Sequence, residues 1–229
     1  MADRIKLSAK HIVVVEGDAD CAFLRALICQ RGLQDFQVIA PGEVAQGAGG
    51  RAAFTHVLNY LPIADDFDRV EAILLLSDND DDPDDSFREV VQAVQRAVEF
   101  GEPRRKYPVP TRPREKASGT SPTIIVYMVP GPDQQGNLET WCLAAAKQTH
   151  SLLIECIDKL AICADINTWS ASRQAKAKVR SFVAVAHKER PEISLPKVWK
   201  DAPTLFPVDS SAFDDLANFL SDFPQRIAT

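Results

Sequence analysis

Short β-branched runs alternate with amphipathic stripes along the first 150 residues. Residues 11–15, HIVVV, are too short and too β-prone for a helix and predict a first strand. Asp18 and Asp20 then stand as helix-start signals, Phe23, Leu24, Leu27 and Ile28 recur at helical spacing, and Gly32 ends the stripe. Residues 36–40, FQVIA, predict a second strand. The loop PGEVAQGAGG follows, then a helix with Phe54, Val57, Leu58 and Leu61 on one face. Residues 72–76, AILLL, predict a third, buried strand, and Phe87, Val90, Val91, Val94 and Val98 mark the next helix. Residues 101–122 carry five prolines and many bases and predict a long loop. A fourth strand is expected at 123–129, TIIVYMV. A turn ending at Gly136 then introduces a helix that buries Leu138, Trp141, Cys142 and Ala145. The remainder reads as helical over 151–164, 171–187 and 211–221.

Near-continuous apolar strands separated by helices imply a sheet covered on both faces. The expected fold is α/β: a Rossmann-like, mostly parallel four-stranded sheet flanked by helices over residues 10–150. Residues 100–122 form a basic, Pro-rich insertion, and residues 151–229 form a helical extension packed on the core. Such sheets place working residues just beyond the carboxyl ends of their strands.

Composition narrows the class. Of 229 residues, 45% are apolar and 25% charged, the balance of an ordinary folded protein. No apolar run approaches the roughly 18 residues that span a bilayer, and Met1 to Lys10 shows no secretory pattern. Five cysteines without a C-x-x-C pair, all but one among helix-like apolar residues, read as core fillers in a reducing compartment, so a cytoplasmic, membrane-free protein is expected. Four histidines, none at ligand spacing from another, argue against zinc. The net charge of −6 disfavours indiscriminate nucleic-acid binding. The charge is uneven, however. Residues 65–85 hold ten acids and one base, whereas 102–116 hold six bases against two acids.

Two acidic motifs fall at strand ends. Glu16 and Gly17 follow the first strand in VVVEGDADCAFL, and Asp78 and Asp80 follow the third in LLLSDNDDDPDD. Carboxylates that leave several waters on the ion are what Mg²⁺ or Mn²⁺ accepts. Placing like charges beside buried strand ends is unfavourable unless a cation neutralises them. Asp82, with Pro83, Asp84 and Asp85 behind it, has a capping explanation, and Asp18 and Asp20 have a similar one. An EF-hand reading of Asp78, Asp80, Asp82 and Glu89 fails because Pro83 stands where the loop needs glycine. Gly47, Gly49 and Ala52 fit a loose dinucleotide pattern at the wrong turn.

Glu16, Gly17 and Asp20 after a first strand, with the Asp78/Asp80 pair after a later one, resemble the Toprim domain of topoisomerases, bacterial primases and OLD-type nucleases. MVPGPDQQGNLETWCLAAA, with Gly136, Leu138 and Glu139, is similar to a group of small bacterial Toprim-like proteins of unknown function. The tail resembles that group's helical ending. The resemblance implies that Glu16 serves as general acid/base or metal ligand and that Asp78 and Asp80 hold Mg²⁺. Asp20, Asp82 and Glu139 are further candidates for the ion's surroundings. The chain shows no DNA-gate domain, Tyr nucleophile or ATPase region of recognisable size, so neither a topoisomerase nor a full OLD-type enzyme is expected.

The expected function is Mg²⁺-dependent phosphoryl transfer, as a nuclease on DNA or RNA. Arg104, Arg105, Lys106 and Arg112 of the basic loop, with Arg173, Lys176 and Arg180 of a later helix, would steer the phosphate backbone. The alternative is a module that binds metal, nucleic acid or a protein partner without turnover. That reading draws on the acidic net charge and on a basic loop whose only stacking aromatic is Tyr107. The metal site so read requires residues 16, 78 and 80 to share one rim, to hold the ion jointly and to be free of internal pairing with Arg or Lys.

Overall fold

The computed structural model describes residues 5–101, 104–117, 119 and 122–228. Four strands, β1 (His11–Val15), β2 (Phe36–Ile39), β3 (Ala72–Asp78) and β4 (Thr123–Val129), form one sheet in the order β2-β1-β3-β4. All neighbours pair parallel, with Val13 beside Leu74 and Leu74 beside Ile125. The chain steps from β1 outward to β2, then crosses back over β1 to β3. The strand order therefore reverses between β1 and β3, where a sheet of this kind opens a crevice.

The helices are α1 (Asp18–Gln30), α2 (Pro41–Val44), α3 (Ala53–Tyr60), α4 (Pro83–Arg96), α5 (Leu138–Thr149), α6 (Ser151–Cys163), α7 (Ala171–Ala186), α8 (Leu195–Asp201), α9 (Asp214–Ser221) and α10 (Phe223–Ala228). Alternate strand residues feed two cores. Ile12, Val14, Ile73 and Leu75 meet α3 and α4 through Phe54, Val57, Val90 and Val94. Val13, Val15, Leu74 and Tyr127 meet α1, α5 and the C-terminal helices through Phe23, Trp141, Phe182, Phe213 and Phe223. Residues beyond 151 thus supply much of one core, each buried aromatic contributing about 1.5–3 kcal/mol.

Several elements depart from the pattern reading. Strand β3 continues two residues past AILLL because Ser77 and Asp78 still pair with Met128 and Val129. Asp78 is therefore held by the sheet itself. Helix α4 ends at Arg96, Ala97 turns extended, and Val98 lies exposed outside the stripe assigned to it. Cys21 and Cys142 are buried, but Cys29, Cys156 and Cys163 are exposed on outward helix faces rather than filling the core. Among the described residues, no helix is long and apolar enough to cross a membrane.

Candidate functional site

The carboxyl ends of β1 and β3 bring Glu16 and Asp78 into contact range of one another. Glu16 Oε1 accepts hydrogen bonds from Ser77 Oγ and from the Asp78 amide, the latter at 3.0 Å. Asp78 Oδ1 accepts from the Leu138 amide at 3.0 Å, in the first turn of α5. Asp20 in α1 and Glu139 in α5 face the same space. Helices α1 and α5 both start at this end of the sheet, and their positive ends favour carboxylates there.

The electrostatics show how crowded these acids are. Burial, and then the charges of Asp20, Glu16 and Glu139, push the Asp78 carboxyl well above its usual range. Burial, reinforced by Glu16 and Glu139, lifts Asp20 to about 7. Burial also raises Glu16, against the Ser77 hydrogen bond and the charge of Arg51. Glu139 is raised by burial too, against the charges of Lys176 and Arg180. Each direction is what like charges withdrawn from water must show.

Asp80 behaves differently. It adopts a left-handed backbone, φ 49°, which turns its side chain away from the strand direction. Its Oδ2 accepts from Arg51 Nη2 at 2.7 Å, and its Oδ1 accepts from Ser172 Oγ at 2.8 Å with Lys176 Nζ at 3.8 Å. Arg51 is the residue that the sequence reading missed. Its guanidinium also pairs with Glu89 at 2.8 Å and lies 3.4 Å from Glu16, and it donates to the Asp78 carbonyl at 2.7 Å. It arrives there on the glycine-rich loop, which is pinned by the Gly50 amide donating to the Glu16 carbonyl at 2.9 Å. The one available signal was the loop's position at the same sheet end as Glu16.

The cluster therefore has two halves. Glu16 and Asp80 are paired with Arg51, so the joint site expected at residues 16, 78 and 80 fails at these two, and an ion would have to rest on the unpaired acids. Among the described residues, Asp20, Asp78 and Glu139 form no ion pair. Asp82 caps α4, accepting from the Asp85 amide at 2.9 Å, and Asp81 Oδ1 accepts from the Ser172 amide at 3.1 Å.

Of the expected substrate-binding bases, Lys176 and Arg180 of α7 adjoin the acids, whereas Arg173 lines the neighbouring cavity beside Trp169. Lys176 and Arg180 line a cavity of ≈ 600 Å³ together with Ala19 and Glu139. The basic loop is placed elsewhere. Tyr107 is buried against Phe100 (4.5 Å between ring centroids), and Phe100 packs on Phe67, just before β3 begins. Arg105 lies over the Phe100 ring, 5.2 Å from its centroid, and Lys106 is 3.9 Å from Glu99, with Arg104 beside them. These residues sit toward the amino end of the sheet, opposite the carboxylates. Arg112 is exposed near Glu115, on a segment that runs beside β4 through Arg114 and Ala117 amides bonded to Val126 and Ile124 carbonyls.

Residues 10–225 match the family described as "Protein of unknown function (DUF3226)". This span contains every strand and the helices through α9, so the match covers the sheet and the whole carboxylate cluster. The chain belongs to this family. Comparison with curated proteins and with solved structures gives no match.

In this DUF3226 chain, Gly136 fixes the entry to α5 and hence the donor to Asp78. Its φ is 136°, its amide donates to the Asp80 carbonyl at 2.7 Å, and an added Cβ would stand 2.6 Å from Thr140 Oγ1. A Gly136→Ala protein should lose about 1–3 kcal/mol of unfolding free energy in urea titrations. An unchanged midpoint would show that the turn accepts a side chain.

Proposed function

We propose that this chain is a Mg²⁺- or Mn²⁺-dependent phosphoryl-transfer enzyme of Toprim type, acting as a nuclease on DNA or RNA. One observation carries the reading: Asp20, Asp78 and Glu139 are gathered with Glu16 at the strand-order reversal, and the first three form no ion pair among the described residues. The donor chemistry fits a hard dication, since all four groups offer carboxylate oxygens. Among the described residues no three acidic, imidazole or thiol groups already converge on one metal position. Mg²⁺ does not demand such a cage, because it retains waters and takes one or two carboxylates directly.

Asp78, fixed by the β3–β4 ladder and by Leu138, is the most rigid ligand candidate, with Asp20 and Glu16 beside it. The ion, when bound, supplies polarisation of a phosphoryl oxygen and a more acidic water. Asp20, titrating near neutrality, can hold or release a proton at its carboxyl. Lys176 and Arg180 offset phosphate charge at the rim. Asp80 belongs to the frame that holds Arg51, not to the ion.

A second reading, a regulatory module that binds metal, nucleic acid or a protein partner without turnover, draws on Arg51, whose guanidinium already neutralises Glu16 and Asp80. Cleavage of single- and double-stranded DNA and RNA with Mg²⁺ or Mn²⁺, comparing the parent with Asp78→Asn, separates the two. Asparagine keeps the Leu138 hydrogen bond and removes the charge. The enzyme reading expects cleavage to fall about a hundredfold or more. Cleavage indifferent to Asp78→Asn sinks the mechanism, and cation binding without cleavage favours the module.

A further inference from the structure

A cavity of ≈ 610 Å³ opens along the start of α7, lined by Trp169, Ser170, Arg173, Lys176 and Arg180 among others. Trp169 is 48% exposed, whereas Trp141 and Trp199 are each 7% exposed. Arg173, Lys176 and Arg180 lie three and four residues apart, which places them in one row on the helix. Arg173 and Arg180 are exposed and form no ion pair among the described residues. Lys176 and Arg180 also line the adjoining cavity that holds Glu139 and Ala19, and Lys176 reaches to 3.8 Å from Asp80. A half-bare indole, a row of cations and the carboxylate cluster therefore follow one another along a continuous surface.

We propose that this groove binds single-stranded nucleic acid, with an unpaired base stacked on Trp169 and the following phosphates on Arg173, Lys176 and Arg180. The inference rests on the phosphoryl-transfer reading for what happens beyond Lys176, but the groove's binding does not need turnover. An indole face is sequence-tolerant and accepts any unstacked base. In a duplex the bases are paired and stacked, so that face has nothing to engage. The row of cations supplies the backbone attraction that the acidic surface elsewhere withholds. Tyr107, the aromatic of the basic loop, is buried with its hydroxyl donating to the Leu58 carbonyl, so it offers no such platform.

The test is fluorescence anisotropy with labelled DNA and RNA single strands of about a dozen residues, and with a matching duplex, all in EDTA so that no cleavage intervenes. Single strands should bind more tightly than the duplex and quench tryptophan emission. Trp169→Ala should weaken binding about tenfold or more, while Trp169→Phe, which keeps a ring, should retain most of it. Arg173→Ala with Arg180→Ala should lower the slope of log affinity against log salt by about 0.7 for each phosphate contact removed. The DNA and RNA arms identify which strand the groove prefers. Parental affinity in Trp169→Ala, tighter duplex binding, or no binding of any strand overturns the proposal. Any of these results with Asp78-dependent cleavage intact would remove the groove alone, and tight strand binding without cleavage would remove the enzyme reading alone.

Discussion

An Arg51→Met protein should unfold with about 3–5 kcal/mol less free energy than the parent in metal-free buffer near pH 8. The Arg51 side chain is only 15% exposed. It bonds Asp80, Glu89 and the Asp78 carbonyl at 2.7–2.8 Å and stands 3.4 Å from Glu16. Methionine preserves much of the apolar stem and isolates the lost charge. Glu16 would then be a buried carboxylate facing Asp78 and Asp20 with no cation between them. Glu89 is half exposed, so water covers its part of the loss, and most of the effect comes from Glu16. The deficit should shrink toward pH 5, where these carboxyls take up protons.

Denaturation of parent and variant, each in EDTA and in millimolar Mn²⁺, also tests whether Arg51 stands in for an ion. If an ion normally occupies the Asp78 side, Mn²⁺ stabilises both proteins. If Arg51 has replaced the ion, Mn²⁺ stabilises only the variant. A loss under about 1 kcal/mol would class Arg51 with ordinary surface pairs and remove it from both accounts.

The fold was legible because parallel strands covered on both faces are written as unbroken apolar runs, and the helices between them carry their stripes plainly. The meeting of Glu16 with Asp78 was legible for the same reason, since each follows or ends a central strand and β1 and β3 are neighbours. The D-x-D reading of Asp80 was less secure. Residues two apart share a face only while the chain stays extended, and Asp80 leaves that conformation at φ 49°. Asp20 reads from sequence as a helix-start residue, but the turn that begins α1 brings it under Asp78. Arg51 left only a faint signal, its loop's place at the Glu16 end of the sheet, because its position depends on how a glycine-rich loop returns to the Glu16 backbone. The basic loop misled for a related reason. Charge close in sequence to a strand says nothing about which end of the sheet it lies against, and aromatic packing of Phe100 and Tyr107 carried Arg104, Arg105 and Lys106 to the amino end.

Raising the pH from about 4 to about 7 should destabilise the metal-free protein through Asp20. Its carboxyl titrates near 3.8 when free of neighbours and at about 7 in the fold. Between those values the folded chain keeps a proton that the unfolded chain releases, so stability falls as pH rises and levels off above about 7. Glu16, Asp78 and Glu139, which face it, are shifted in the same direction. Asp215 is held below its usual range beside Arg114 and Tyr127, despite partial burial, and gains stability with pH only in the acid range. His11, lowered by burial, opposes the trend below its ordinary 6.5. A thermal series in EDTA should therefore show a melting temperature that drops by several degrees between pH 5 and pH 8. Mg²⁺ should restore it most at pH 8, where the carboxylates are charged and the ion competes with no protons. Asp20→Asn should reduce the slope and blunt the Mg²⁺ response together. An undiminished slope in Asp20→Asn would mean that the proton resides on another member of the cluster. A melting temperature that climbs steadily to pH 8 without metal would mean that an internal cation already satisfies all four acids, leaving no electrostatic reason for the fold to bind an ion.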